Sequence, residues 1–154
     1  MGVRVQEADF NLGAEVAGLT AGNHDIGAIV TFTGTVRGTG TAGGTGGLKS
    51  MTLEHYPGMT EAALEKIEAQ ARARWPLAAC LVIHRYGTLA PGDNIVAVVT
   101  ASPHRKAAFE AAEFLMDYLK TEAPFWKREE GRDGAKWVDA READTAARDK
   151  WASR

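Results

Sequence analysis

The chain has a single cysteine, Cys80, among its 154 residues. An internal disulfide is therefore impossible, and a zinc site built from several cysteines is excluded. Cys80 lies in the apolar run "ACLVIHRYG", where a free thiol typically packs as a small hydrophobic side chain. An inert buried thiol is the expected state, and a reactive thiol is the alternative.

The sequence also lacks long apolar runs. No segment approaches the ~20 residues that a membrane-spanning helix needs. The N-terminal stretch "MGVRVQEADF" has no long apolar segment of the kind found in signal peptides. A cytoplasmic protein is expected, with no membrane partner. The four histidines show no HExxH or similar spacing, so no protein-bound metal is expected.

The sequence also has no large excess of positive or negative charge. The net charge is −2 and the calculated pI is about 6.1, which argues against a nucleic-acid partner. Basic residues still occur in small groups, at Arg37, 104–106, Lys120 and 127–128. Small basic groups on a nearly neutral protein favour a small anionic ligand over a polymer.

Length and patterning indicate one α+β domain over residues 1–154. Strands are predicted at 3–6, 27–37, 51–56, 80–87 and 94–101, and 27–37 is rich in β-branched residues. Asp133-Gly134 predicts a hairpin between 125–130 and 135–140. Helical spacing predicts three main helices at 11–22, 59–75 and 102–123, followed by a short helix in the tail.

The third main helix has the clearest signals. Ser102 is expected at the N-cap and Pro103 at the first helical position, with Pro124 beyond the end. Its buried stripe is predicted to consist of Phe109, Ala112, Met116 and Leu119.

Residues 38–49 form a glycine-rich segment that is expected to be a flexible loop. "GTGTAG" satisfies the GxGxxG pattern after a strand, but the helix that a dinucleotide site requires does not follow. The segment is either a lid over a site or only a connection.

His104 and Arg105 lie at the expected start of the third helix. The positive end of the helix dipole disfavours cations there, whereas a bound anion would favour them. An anion site is one interpretation, and a solvated first turn is the other.

Lys120 and Lys127 flank Pro124 in "LKTEAPFWKREE". Lys120 fits the polar face of its helix, so spacing alone makes it an ordinary helix-end lysine. In a strand, alternation places Phe125 and Lys127 on one face and Trp126 on the other. Lys127 is then partly desolvated, which lowers a lysine pKa, unless its amine reaches solvent.

Several stretches together resemble the family of molybdopterin synthase large, catalytic subunits. They are "VTFTGTVR", "TLEHYPGMTE", "RWPL", "VIHRYGTLAPGD", "SPHRKAAFEAAEFLMDYLKTEAPFWKRE" and "WVDARE", which span about residues 27–145. The resemblance implies an α/β-hammerhead-type fold with an additional antiparallel β part.

It further implies a sulfurtransferase of molybdenum cofactor biosynthesis. Such an enzyme converts cyclic pyranopterin monophosphate into molybdopterin by forming its dithiolene, with no bound cofactor. The sulfur arrives as a thiocarboxylate on the C-terminal Gly-Gly of a small ubiquitin-like carrier. The implied assembly is a heterotetramer built around a homodimer.

By motif, the resemblance makes Lys120 and Lys127 catalytic residues. It assigns substrate binding to the same lysines and to Thr35, Val36, Arg37, His104, Arg105, Arg128, Glu129 and Arg141, the last across the dimer. Thr35 stands where some family members have a lysine, which leaves only an uncharged contact there.

Two other functions stay open on the sequence alone. One is a docking module that binds a ubiquitin-like carrier without chemistry. The other is an enzyme for a phosphorylated metabolite that works without a protein partner.

Overall fold

The computed structural model describes residues 2–39, 47–131, 134–138 and 142–152. These form four helices: α1 (Leu12–Thr20), α2 (Met59–Arg74), α3 (Arg105–Glu122) and α4 (Glu142–Asp149). They also form eight strands: β1 (Gly2–Gln6), β2 (Ala28–Thr35), β3 (Leu48–His55), β4 (Ala79–Arg85), β5 (Gly87–Leu89), β6 (Asn94–Ser102), β7 (Phe125–Gly131) and β8 (Gly134–Val138). The α+β class predicted from the sequence is confirmed.

The first sheet has the strand order β1-β4-β6-β2. β1 and β4 are parallel, whereas β6 runs antiparallel to both β4 and β2. β4 and β6 are the central strands, and nearly all their side chains are buried, as expected for strands covered on both faces. One face packs on α2 and α3 through residues such as Leu64, Val98 and Phe114, and α1 covers the other face.

The second sheet has the order β5-β3-β7-β8 and is antiparallel throughout. β7 and β8 form the predicted hairpin, whose residues 132–133 lie outside the described part. A small core of Val36, Met51, Leu53 and Leu89 lies under this sheet, and partly buried Ile95 of β6 packs against it. Val36, which follows β2, and Ile95 of β6 therefore connect the second sheet to the first.

The start of α3 differs from the sequence prediction. His104, not Ser102, is the N-cap, and α3 begins at Arg105. Ser102 is the last residue of β6, where its hydroxyl donates to the Pro76 carbonyl at 3.0 Å. The strand and this tertiary hydrogen bond therefore override the local capping signal.

The predicted stripe of α3 is also partly wrong. Its buried residues are Ala108, Ala111, Ala112, Phe114, Leu115 and Leu119, whereas Phe109 is 61% exposed. Helical spacing gave the right period but placed the buried face off-centre, because small alanines face the sheet. The exposure of Phe109 leaves a large apolar side chain uncovered in the single chain.

The predicted end of the glycine-rich loop at residue 49 is wrong. Leu48 and Lys49, expected in the 38–49 loop, belong to β3. The Leu48 N–H donates to the Gly38 carbonyl at 2.7 Å, which holds these two described residues together. Residues 40–46 lie outside the described ranges. None of the helices in the described part is long and apolar enough to cross a membrane.

Candidate functional site

A cleft of about 390 Å³ opens where the end of β2, the last turn of α3 and the first half of β7 meet. Apolar side chains, among them Phe32, Leu119 and Phe125, form part of its lining. Three cationic side chains also line it: Arg37, Lys120 and Lys127. The two lysines that flank Pro124 in the sequence therefore share one cavity.

Lys120 reaches the cleft from the last turn of α3. α3 ends at Glu122 and Ala123 takes an extended conformation, as expected before Pro124. The chain then enters β7 at Phe125. Lys120 is an exposed residue, which keeps its amine accessible to a ligand in the cleft.

Lys127 reaches the cleft from β7. Phe125, Lys127 and Glu129 line the cavity, whereas Trp126 is exposed on the other face and meets Tyr56 edge-on, with ring centroids 4.6 Å apart. The predicted alternation is confirmed. Burial lowers the pKa of Lys127, and the nearby charge of Lys120 lowers it further.

Arg37 follows a firmly anchored residue. Val36 is buried in the small core, its N–H donates to the Asp93 carbonyl at 2.9 Å, and its carbonyl accepts from the Gly92 N–H at 2.8 Å. The β2–β6 register shifts between Gly34 and Thr35, a type of irregularity that often re-aims side chains next to a site. Thr35 and Arg37 line the cleft beyond this shift.

Two acidic residues balance part of the positive charge. Buried Glu129 and partly buried Asp144 of α4 line the cleft, and both carboxylates act to raise the pKa of Lys127. Three cations and two carboxylates leave the cleft with a charge of +1 when all are ionised. The cleft therefore suits an anion whose charge the lysines and Arg37 complement.

His84 also lines the cleft, and no sequence pattern had indicated a site at this position. Its ring stacks on Phe125 with centroids 3.7 Å apart, and its Nδ1 lies 2.8 Å from the Arg85 carbonyl oxygen. Because a carbonyl only accepts, Nδ1 carries the proton. Burial lowers the pKa of His84 to about 4, so the imidazole is neutral at pH 7.

Four predicted site residues do not line this cleft within one chain. One of them is Val36, which is buried in the small core under the second sheet. Arg128 lies on the outer face of β7, where it pairs with Thr52 and Trp137 across the sheet. His104 and Arg105 are exposed at the opposite end of α3 from Lys120. Fifteen residues of helix separate Arg105 from Lys120, or about 22 Å along the axis. Arg141 lies outside the described ranges.

Cys80 is fully buried in the core beneath the first sheet, as predicted for an inert thiol. Burial raises its pKa to about 12, and the carboxylate of Glu68 acts in the same direction. The thiolate needed for nucleophilic chemistry is therefore disfavoured at neutral pH. Among the described residues, no three His, Cys, Asp or Glu side chains are grouped to hold a metal ion.

Known proteins resemble this chain over nearly its whole length. The family described as MoaE protein matches residues 5–122. A molybdopterin synthase catalytic subunit from Mesorhizobium japonicum is 54% identical over 153 residues, which is 98% of this chain and 93% of that protein.

Solved structures agree with this match. The molybdopterin biosynthesis MoaE protein from Burkholderia ambifaria has a TM-score of 0.82 and 53% identity, covering 98% of this chain and 97% of that one. A molybdopterin synthase structure from Staphylococcus aureus has a TM-score of 0.79 and 30% identity, covering 88% of this chain and 95% of that one.

Proposed function

The chain belongs to the MoaE protein family and functions as a molybdopterin synthase catalytic subunit, and we propose that its cleft binds cyclic pyranopterin monophosphate between Arg37, Lys120 and Lys127. One observation carries this proposal: two lysines from different elements line one cavity together with an arginine. The substrate phosphate is an anion, and the net positive cleft complements it.

The two lysines have different environments and are proposed to have different roles. Lys127 is partly buried with a lowered pKa, so its neutral amine is more accessible for proton transfer than that of an ordinary lysine. Exposed Lys120 stabilises negative charge that develops as sulfur adds and the cyclic phosphate opens.

The sulfur is proposed to come from the C-terminal thiocarboxylate of a small ubiquitin-like carrier. The only cysteine of the chain is buried and its pKa is raised, which supports an outside source of sulfur. Attack of the thiocarboxylate sulfur on a substrate carbon forms a C–S bond while a C–O bond at that carbon breaks, and the oxygen leaves as water or stays on the opened phosphate. Carrier and substrate are then joined through a thioester. Water then cleaves the acyl–sulfur bond, leaving a thiol on the substrate and a carboxylate on the carrier. A second loaded carrier repeats the transfer.

A homodimer at the centre of a heterotetramer, in the cytoplasm, is part of this proposal. His104 and Arg105 are too far along α3 to act in the cleft of their own chain. Their anion-binding role therefore requires the cleft of a second copy.

Reconstitution with a thiocarboxylated carrier tests the proposal. Lys120→Ala and Lys127→Ala should each lower the rate of molybdopterin formation by roughly 10²–10⁴-fold, the range for loss of an acid–base or charge-stabilising group. Lys106→Ala is the matched control, because Lys106 is a solvated lysine of the same helix with an 87% exposed side chain.

Carrier affinity, measured by calorimetry, should persist in both lysine variants. Wild-type turnover by either variant would remove that lysine from the mechanism. Tight carrier binding without turnover by the wild-type chain would instead identify a docking module.

A further inference from the structure

His84 is a buried polar residue of the cleft to which the proposed reaction gives no role. It lies in β4, is 5% exposed, and lines the cavity beside Phe125. One edge of its ring is fixed, because Nδ1 donates its proton to the Arg85 carbonyl at 2.8 Å. One face is covered by Phe125, with ring centroids 3.7 Å apart and an interplanar angle of 20°. The ring is therefore held in one orientation.

This orientation determines what His84 offers to a ligand. In a neutral imidazole one nitrogen donates and the other accepts, so the proton on Nδ1 leaves a lone pair on Nε2. Within the described part of the chain, no residue donates a hydrogen bond to Nε2. Buried polar atoms nearly always have a hydrogen-bond partner, because removal from water is otherwise costly. An acceptor left over in the wall of a cleft indicates a donor on the ligand.

The other polar groups of the cleft differ from His84 in charge. The three cations that line it can only donate hydrogen bonds. Glu129 and Asp144 can accept, but both carboxylates act on Lys127, whose pKa they raise. Burial, followed by the charges of the two lysines, lowers the pKa of His84 and keeps its ring uncharged. His84 thus adds a neutral acceptor to a site that otherwise recognises charge.

We propose that Nε2 of His84 accepts a hydrogen bond from a ring N–H of the substrate, and so binds the uncharged heterocycle while the cations of the cleft bind the phosphate. The inference rests on the proposed function and divides its site into two parts. The edge of a pterin ring carries amide and amino N–H donors, for which ammonium and guanidinium groups offer no acceptor. Phe32 and Leu119 give the heterocycle apolar surface within the same cavity.

This role makes His84 a residue that determines specificity. A heterocycle with a bare ring nitrogen at this edge would set its lone pair against that of Nε2. A site built to pair with an N–H group rejects such an analogue, because its own buried acceptor is then left unpaired. The cleft should therefore select ligands by the hydrogen-bonding pattern of the ring as well as by the phosphate.

Two substitutions separate the functions of the two ring nitrogens. His84→Asn keeps an amide N–H near the position of Nδ1 but removes the acceptor at Nε2. His84→Gln places an amide oxygen near the position of Nε2 and loses the donor to Arg85. The full chain should bind 6-hydroxymethylpterin, a pterin without phosphate, roughly 10–100-fold more weakly in His84→Asn, the range for a donor left without its acceptor. His84→Gln should retain most of the affinity, and quenching of pterin fluorescence measures both.

Inorganic phosphate is the matched probe for the charged part of the cleft. Its affinity, followed by phosphorus NMR, should be the same in wild type and in both His84 variants, and should fall in Arg37→Ala. Circular dichroism confirms that each variant is folded. Unchanged pterin affinity in His84→Asn would overturn the proposal. Equal losses in the Asn and Gln variants, or a parallel loss of phosphate affinity, would also overturn it, because His84 would then only support the shape of the cleft.

Nitrogen NMR of the wild-type imidazole needs no substitution. Nδ1 should be the protonated nitrogen, and added 6-hydroxymethylpterin should move the Nε2 signal toward that of a hydrogen-bonded acceptor. A proton on Nε2, or an Nε2 signal that the pterin leaves unchanged, contradicts the assignment. Such results leave the proposed function intact, because turnover with the loaded carrier and its loss in Lys127→Ala are measured separately. Absence of turnover in wild type, with pterin binding that depends on His84, would instead contradict only the proposed function.

Discussion

Lys120 and Lys127 line one cleft closely enough that the charge of Lys120 lowers the pKa of Lys127. The first belongs to the last turn of α3 and the second to the third position of β7, so their proximity depends on the chain reversal at Pro124. The charge of Lys120 thereby influences the protonation of Lys127, which does not act as an isolated charge.

The pKa of Lys127 should respond in opposite directions to changes in its two neighbours. Lys120→Met removes a like charge and should raise the pKa of Lys127, whereas Glu129→Gln removes a carboxylate and should lower it. NMR titration of the lysine side-chain Cε–H signals measures both shifts. Equal pKa values in the three proteins would show that the charges do not couple.

The same pKa shift has a consequence for stability. Because the pKa of folded Lys127 is below its unfolded value, the unfolded chain binds more protons between the two values. The Lys127 contribution therefore makes stability rise with pH through that window, which ends near the ordinary lysine pKa of 10.5. Urea unfolding of wild type and Lys127→Met should show this slope only in wild type.

Two inactive variants should restore activity when they are mixed. If Arg105 serves the cleft of the second copy, a dimer of one Lys127→Ala chain and one Arg105→Ala chain contains one intact site. Random reassociation makes about half of the dimers mixed, so activity should recover to about a quarter of wild type. The measurement is product formation after the two variants are unfolded together and refolded.

The control is a mixture of Lys127→Ala and Lys120→Ala chains. Both residues act in the cleft of their own chain, so no intact site forms and activity should stay at background. Recovery in the control mixture, or none in the test mixture, contradicts an Arg105 contribution from the second copy.

Cys80→Ser should preserve activity and lower stability slightly. The substitution buries a hydroxyl in the core, although nearby Glu68 offers it an acceptor, so a cost of about 1 kcal/mol is expected. Urea denaturation measures the cost, and the reconstituted assay measures the activity. A large loss of turnover per folded molecule would mean that the thiol takes part in the reaction.

Local patterns predicted the hairpin, the face of β7 that bears Lys127 and every described strand except the short β5, which was not predicted as a separate strand. These features depend on alternation and turn residues over a few positions, which a sequence displays directly. The buried stripe of α3 was only partly predictable, because alanines face the sheet and the larger Phe109 does not. A prediction from side-chain size and hydrophobicity therefore placed Phe109 on the buried face of α3, although Phe109 is exposed.

The remaining site residues depend on tertiary contacts. His84 lies in an uninterrupted buried strand, and only its stack on Phe125 shows that it faces the cleft. Asp144 comes from α4, a separate helix near the end of the chain. The distance between Arg105 and Lys120 follows directly from helix length, once both residues are known to lie in α3.

The alternation of β7 also determines which genetic changes the site tolerates. Between Pro124 and Lys127, substitutions alter one side chain at a time, but loss or gain of one codon inverts the strand. Such an inversion would turn Trp126 and Arg128 into the cleft and expose Lys127 and Glu129 on the outside. Changes of length in this segment should therefore be tolerated less well than substitutions of Phe125 or Trp126, and single-residue deletions here should be absent from functional variants in a mutational library.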